Sequence, residues 1–370
     1  MSKPKHQHFI PKSYLKNFAV KKGDKFFVEG KRKDEEKPKE NLISIRDICV
    51  DKNLYTIPHI EGDDKFEIEK YYAENIDAVY PEVYALLTNP DITYITAEQR
   101  GQIIMTTMSL FFRTPKFLNF NVRSMNKILD YAATNKIDSD GKVKFKFRDY
   151  DFNFHIDDIE EVRTDLKIQN KLKFLREHLS DWQEFVKYKL KAGISVFHIH
   201  EEINLITSDN PVIMRNVLGN SFNIFDPSNI ILVPLDSKHF LTIFPNTESV
   251  LTDRIFRGER DKWFALTSNS DIEQNAEEWI IGSHDSVKKH LADQVKYNIE
   301  NKENLQAVEN IKEKAKDMID LTYLLEEVGT FAHQRIADKV KELRKKNIYR
   351  DDPEMQKIVL ELARFGFLTI

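Results

Sequence analysis

One segment limits the fold of this chain more than any other, the run from Thr96 to Arg113. It opens with a threonine suited to cap a helix and with Glu98 and Gln99 in the first turn. A threonine hydroxyl can accept an orphan amide there, and an acid suits the positive end of the helix dipole. Ile103, Ile104, Met105, Met108, Leu110, Phe111 and Phe112 follow. A helix apolar nearly all round cannot lie on a surface, so other elements must wrap it. With 370 residues the chain can build that core, as one large domain or two.

Helical patterns surround this segment. Glu67 to Leu87 carries Ile68, Tyr71, Tyr72, Ile76, Val79, Tyr80, Val83 and Leu87 at helical spacing, with a break or bend expected at Pro81. More helix is predicted over 117–133, and two helices over 157–191, with a hairpin in 138–155 around Asp140-Gly141. Upstream, Lys25 to Glu29, Leu42 to Ile45 and Leu54 to Ile57 read as strands, and Gly30 to Glu40 as a charged loop. From residue 194 the pattern changes. Short β-rich runs at 194–199, 204–207, 212–215, 230–233 and 240–244 are separated by Asp209-Asn210-Pro211, Asp226-Pro227-Ser228 and Asp236-Ser237. Such turn residues between short strands predict an antiparallel meander. Asp271 to Ile281 reads as helix.

From Lys302 the chain is almost all helix, with a stripe at Leu305, Val308, Ile311, Ala315, Met318, Leu325 and Val328. The expected class is therefore α+β: a helix-rich N-terminal half, a small antiparallel sheet around 194–245, and a helical C-terminal tail. The expected division is a core over 1–300, with a helical part at 64–191 and a β-rich part at 194–256, and an extension over 301–370. A long charged helix needs a surface for its apolar stripe, so the extension is expected to bind a second copy or a partner protein. The alternative is that residues 330–365 fold back and cover the stripe within the chain.

Charge and cysteine content narrow the class. Fifty-six basic residues face 60 acidic ones, a net charge of -4, so any nucleic acid must be met by a local basic site and not a global field. Cys49 is the one cysteine, which fits a reducing compartment and excludes an internal disulfide or a cysteine-based zinc site. No apolar signal-peptide core and no run of about 20 apolar residues occurs, so the expectation is a cytoplasmic protein with no membrane partner. Neither GxGxxG nor GxxxxGK[ST] is present, and HExxH, GxSxG and the kinase motif set are absent too.

Three motifs carry the candidate chemistry. His8-Phe9-Ile10-Pro11 leads into Leu15 and Phe18. Pro11 fits the first turn of a helix whose apolar face, Tyr14, Leu15 and Phe18, would dock and hold His8 in place. Arg113-Thr114-Pro115 ends the apolar helix, and Thr207-Ser208-Asp209-Asn210-Pro211-Val212 closes a predicted strand. In this order the motifs resemble the bacterial Domain of Unknown Function 4238 family, over roughly residues 5 to 285. The family has no assigned activity, so the resemblance implies positions and not a mechanism.

Each position has a plain structural reading beside the functional one. His8 can bond a nearby carbonyl, or act as a general base, as imidazole does near neutral pH. Asp209 and Asn210 can simply bond their own turn, or Asp209 can orient His8, serve as a base or ligate a metal. Arg113 is costly to bury unpaired, so it can cap helix carbonyls or neutralise Asp209, or bind a phosphate or carboxylate ligand bidentately. His198 and His200 fall on one face of a strand and could chelate a metal with Asp209 or Glu201, with His6 as a further ligand. A divalent metal is the one cofactor these side chains suggest. The leading expectation is that His8, Arg113, Asp209 and Asn210 converge in one pocket. There they would hydrolyse a phosphodiester, as a nuclease in a bacterial defence or toxin setting. The rival is a non-enzymatic interaction or sensor module, in which the same residues are a sealed network and the C-terminal helices bind the partner. Lys33 serves as an expected neutral surface position.

Overall fold

The computed structural model describes residues 6–57, 62–147, 150–200, 203–216, 224–246 and 251–300. The fold is a mixed α+β one. Two compact units emerge: one holds the described residues within Met1–Leu118, Lys173–Val217 and Ile224–Tyr297, the other those within Asn119–Leu172, Leu218–Asn223 and Asn298–Ile370. Expectations about the 301–370 tail lie outside the described residues.

The first unit begins with a short strand, His6–His8, antiparallel to Val50–Lys52. Pro11 (φ −57°, ψ 138°) ends the extended stretch and caps a helix, Lys12–Leu15, which tightens into a 3-10 turn, Lys16–Phe18. Tyr14, Leu15 and Phe18 are buried, so the predicted docking of this short helix holds. Next come helix Glu67–Tyr72, a π-turn Ala73–Asp77 and helix Tyr80–Thr88. Pro81 stands in the first turn of the latter, where its missing N–H is harmless; the interruption is the π-turn before it. Thr96 makes a full capping box, its Oγ1 accepting from Gln99 N at 3.1 Å and Gln99 Oε1 accepting from Thr96 N at 2.9 Å. The helix that follows, Ala97–Phe112, is central, with Ile103, Ile104, Met108, Leu110 and Phe112 buried. Burying each such side chain contributes roughly 2 kcal/mol, which is why this segment organises the unit. One helix, Ile159–Lys189, replaces the two predicted over 157–191.

The expected meander is only partly formed. The main sheet has the order Ile213–Asn216, Asn229–Pro234, His239–Ile243, Ile194–Ile199, Ile255–Arg260. The first four run antiparallel to their neighbours, but Ile255–Arg260 lies parallel to Ile194–Ile199, making the sheet mixed. Thr207–Ser208 leaves for a second sheet, which runs Val20–Lys22, Lys25–Arg32, Trp279–Gly282, Thr207–Ser208, with Ile43–Ser44 pairing the Lys25–Arg32 strand. Trp279–Gly282 is thus a strand where helix was expected; the helix there is Lys262–Asn275. The Lys25–Arg32 strand also outruns its prediction, because Gly30, Lys31 and Arg32 pair with Ile281, Ile280 and Trp279. A Cβ at Gly30 would come within 2.6 Å of Ile43 Cδ1, which explains a glycine inside this strand. Leu54 to Ile57 forms no strand.

The second unit has its own core of Ile128, Leu129, Ala132, Val143 and Phe145, drawn from helix Pro115–Asn135 and a hairpin, Lys142–Phe147 with Tyr150–His155. Phe145 and Phe152 stack across the hairpin at 4.6 Å. Asp140-Gly141 precedes the hairpin and does not form its tip; Asp138 accepts from the amides of Asp140 and Lys142, both at 2.9 Å. Among the described residues no helix is long and apolar enough to cross a membrane.

Candidate functional site

The three motifs are physically linked, though not in the expected way. Arg113 reaches back to the first motif, its Nη2 donating to the His8 backbone carbonyl at 2.6 Å. Its Nη1 pairs with Asp77 Oδ1 at 2.8 Å, and its guanidinium lies 4.4 Å from the centroid of the Tyr72 ring. Burial works against the Arg113 charge, but Asp77 and the neighbouring tyrosines raise its pKa above the ordinary arginine value. Tyr55 Oη donates to the Arg113 carbonyl. The carboxylate that arginine neutralises is therefore Asp77, on the π-turn, and not Asp209.

The first and third motifs meet through Tyr14 and Thr207. Tyr14 Oη lies 2.6 Å from Thr207 Oγ1 and donates to the Pro234 carbonyl at 2.8 Å. With the phenol proton committed to Pro234, the threonine hydroxyl is the donor to Tyr14. Asp209 does not meet His8. Its Oδ1 accepts from Glu277 N at 2.9 Å, and its Oδ2 from Glu278 N at 2.7 Å and Trp279 N at 3.1 Å. Burial raises its pKa to about 6 against the pull of those amides. Asn210 and Asn275 exchange bonds: Asn210 Nδ2 donates to Asn275 O at 3.1 Å, and Asn275 Nδ2 to Asn210 O at 2.8 Å. The turn is thus a clasp on the segment entering the Trp279–Gly282 strand.

His8 bonds the Ile45 carbonyl through Nε2 at 3.1 Å, so Nε2 carries the proton of the neutral ring. Burial, aided by the charges of Lys12 and Arg113, lowers its pKa to about 4. Gln7, which sequence reasoning passed over, is fully buried; its Oε1 accepts from Tyr55 N at 2.7 Å and its Nε2 donates to Glu69 Oε2 at 2.9 Å. Gln7, Tyr14, Arg113, Thr207, Asp209 and Asn210 are all 3% exposed or less. The expected open pocket of His8, Arg113, Asp209 and Asn210 is not formed, because each of these side chains is already engaged by the fold. Lys33 is not neutral either: its Nζ donates to the Gln274 and Ala276 carbonyls at 2.9 and 2.5 Å, at the end of helix Lys262–Asn275.

An open site lies on the main sheet instead. A cleft of about 500 Å³ is lined by Thr88, Pro90, Val196, His198, His200, His239, Arg257, Gly258 and Glu259. Strand register assembles it. His198 stands opposite His239 on one neighbouring strand and Glu259 on the other, and His200 is two residues further along the same face. The His198 ring centroid is 4.4 Å from that of His200 and 5.0 Å from that of His239.

Asp236 fixes His239. Its Oδ1 accepts from the amides of Lys238 and His239 at 2.6 and 2.7 Å. Its Oδ2 takes Tyr84 Oη at 2.6 Å and His239 Nδ1 at 2.8 Å. Burial alone would raise the Asp236 pKa, but the bonds from His239 and Tyr84 hold it below the ordinary aspartate value. The carboxylate is therefore ionised, and in the neutral ring its bond puts the His239 proton on Nδ1 and the lone pair on Nε2. Burial together with the adjacent His239 and His200 lowers the His198 pKa. His200 Nε2 pairs with Glu259.

Arg257 supplies a fixed positive charge to the cleft. Its guanidinium donates to the Leu87 carbonyl at 2.7 Å, the Leu86 carbonyl at 3.3 Å and the Ile92 carbonyl at 2.7 Å, around the end of helix Tyr80–Thr88. Among the described residues it forms no ion pair.

The metal expectation is not carried by this geometry. Among the described residues no group of three or more His, Cys, Asp or Glu side chains could hold a metal ion. Asp209 is saturated elsewhere, His200 is engaged by Glu259, and Glu201 lies outside the described residues. His6 is placed through its backbone, opposite Lys52, and its side chain lies outside what the structure describes. Asp236, His239, Tyr84 and Arg257 escaped the sequence reading. The one local signal was an aspartate three residues before a histidine across a tight turn.

No curated protein and no solved structure matches the chain. The sequence model of the family described as Protein of unknown function (DUF4238) matches residues 6–286, a span that includes all three motifs and the histidine cleft, and the chain belongs to that family.

Proposed function

We propose that the protein is a hydrolase of phosphodiester bonds, and that its chemistry sits in the histidine cleft and not among the family motifs. The observation that carries this reading is the Asp236–His239 pair opening beside His198 and a fixed arginine charge. An imidazole whose Nδ1–H is bound by an ionised, buried carboxylate is held in one orientation, with Nε2 ready to take a proton. Asp236 then stabilises the imidazolium that forms. That imidazolium then returns the same proton to the leaving oxygen, with His198 beside it as a second imidazole facing the substrate. Arg257 attracts an anionic substrate and opposes charge building on phosphorus. Acid–base groups of this kind contribute about 10²–10⁴-fold to rate. The biological setting that goes with this reading is a cytoplasmic nuclease in bacterial defence.

The test is turnover of bis(4-nitrophenyl) phosphate, of an RNA and of a DNA oligonucleotide by wild type, His239→Gln and Asp236→Asn. The expected result is cleavage by wild type and a loss of about 100-fold or more in His239→Gln. No cleavage of any of the three, or equal rates in the variants, overturns the reading.

A second reading rests on a different observation, the burial of the motif residues. A chain whose shared motifs are all structural also fits an interaction or sensor module, with the C-terminal extension engaging a partner or a second copy. The same assay separates the two, since a module cleaves nothing.

A further inference from the structure

The first motif stands beside a basic hollow that the hydrolase reading does not use. About 200 Å³ in volume, it is lined by Lys12, Lys16, Asp24, Lys25, Phe26, Ser44, Ile45 and Arg46. Four cations face one acid. Among the described residues Lys12, Lys16, Lys25 and Arg46 form no ion pair, and all four are exposed. Residues 12–25 hold five lysines and a single acid in a chain whose net charge is -4, so this is a local reversal of sign. The lysines are presented by rigid pieces. Lys12 and Lys16 lie along the docked N-terminal helix, while Lys21, Lys22 and Lys25 flank the tight Gly23-Asp24 turn between strands Val20–Lys22 and Lys25–Arg32. Gly23 has φ +60°, a backbone that favours glycine and fixes the turn. Phe26 is half-buried at the hollow, with Lys16 Nζ 5.1 Å from its ring centroid. Ile45, whose carbonyl holds His8, forms part of the wall.

We infer that this hollow and the hairpin lysines beside it form a binding surface for single-stranded nucleic acid. The hollow has several times the ~30 Å³ share of one water molecule, enough for a phosphate group. Uncompensated cations track a phosphate backbone, and an aromatic ring among them gives a base a stacking face; together these are the recognition elements of single strands. A phospholipid surface would match the lysines but leave Phe26 unused, because its ring sits recessed among them and not at a protruding tip. In naming the substrate class this inference rests on the phosphodiester reading, yet it stands on separate residues.

The experiment uses the full chain and a fluorescein-labelled oligo(dT) strand, read by anisotropy across a salt series. Compared are wild type, Lys12→Glu/Lys16→Glu/Lys25→Glu, the milder Lys12→Gln/Lys16→Gln/Lys25→Gln, and a charge-matched control, Lys167→Glu/Lys191→Glu/Lys262→Glu. His239→Gln is included to silence the cleft. Expected is saturable binding by wild type, the control and His239→Gln, with at least tenfold weaker binding in both hollow variants. Neutralising three lysines should flatten the slope of log affinity against log salt by about 2. No binding by wild type at tens of micromolar in low salt overturns the inference, and so does equal loss in the control. Binding to phosphatidylserine vesicles without binding to the oligonucleotide overturns it in favour of a membrane surface. Binding that survives in His239→Gln while no variant cleaves the strand upholds this surface and removes the hydrolase reading alone.

Discussion

The motif clasp and the histidine cleft are built from the same residue types and do opposite things. In the clasp, Arg113, Asp209, Asn210 and Thr207 are buried, and most of their polar atoms bind backbone groups or the side chains of Asp77 and Tyr14. In the cleft, His198, His200 and His239 share an open cavity; Asp236 holds His239 by Nδ1 and Glu259 pairs with His200, while the cavity itself stays open. A buried polar network closed to solvent offers a substrate no way in, even though Arg113 Nε and Asn210 Oδ1 have no hydrogen-bond partner among the described residues; its engaged atoms set which segments meet. The clasp fixes the N-terminal segment, the π-turn and the Trp279–Gly282 strand within one unit. Motif residues recurring in order along a chain can therefore mark the assembly of a fold as readily as its chemistry.

Substitutions can break this contrast, and the expected stability effects descend in order. Arg113→Met leaves Asp77 without its partner and the His8 carbonyl without its donor. Loss of about 3 kcal/mol is expected, the low end for breaking a buried pair because Asp77 is partly exposed. Urea melts measure it. A Cm unchanged from wild type shows that the clasp does not bear on folding.

Asp209→Ala strips three amides of their acceptor. Since an unsatisfied buried donor costs about 1–3 kcal/mol and the donating residues Glu277, Glu278 and Trp279 are themselves at least partly exposed, a total near 2 kcal/mol is expected in the same melts. Asp209→Asn, which keeps one carbonyl oxygen, should lose less. If the alanine variant is the more stable of the two, the clasp account of this turn fails.

Acid should sharpen the comparison through His178, stacked on Phe174 at 4.2 Å with Nδ1 bonded to the Phe174 carbonyl. Burial lowers its pKa to about 4. The folded state then keeps the ring neutral while the unfolded chain protonates it below its ordinary value near 6.5. Stability is therefore lost as pH falls from about 6.5 towards 4. Between pH 7 and pH 5 the wild type should lose about 2 kcal/mol more than His178→Gln. Asp209 works in the opposite direction. Its pKa is raised to about 6, so the folded state gains relative stability as pH falls through the window from about 6 to its ordinary value near 4. Identical pH dependence in wild type and His178→Gln contradicts the assignment.

Tyr14→Phe removes one hydroxyl bridging Thr207 and Pro234 and should cost about 1 kcal/mol. A larger loss, comparable to Arg113→Met, would make this bridge the principal link between the motifs.

Much of the clasp's scaffold was legible in the sequence, and most of its contacts were not. The N-cap at Thr96 and the docked face of Tyr14, Leu15 and Phe18 follow from spacing alone, because helix-end and i, i+3 and i+4 contacts are local. Trp279 to Ile281 read as helix because a short apolar run has no decisive period, and its pairing with Lys25–Arg32 lies about 250 residues away. The parallel strand Ile255–Arg260 was missed because its mostly polar sequence has no strand alternation, and its pairing with Ile194–Ile199 is distant in the chain. Candidate histidines His198 and His200 were visible as an i, i+2 pair on one strand face. Their third member, His239, enters only through the register of a neighbouring strand. Arg113 was expected to neutralise Asp209 and instead pairs with Asp77, whose place depends on a π-turn that no periodicity announces.

The most direct test compares phosphodiester turnover in His239→Gln and Tyr14→Phe, each normalised to folded protein by its own melt. His239→Gln should melt with wild type, since His239 is partly exposed and bonds only Asp236, yet lose about 100-fold or more in rate. Tyr14→Phe should melt earlier and, once folded, turn over at the wild-type rate. Full activity in His239→Gln together with an inactive, stably folded Tyr14→Phe would place the chemistry in the clasp and contradict the account.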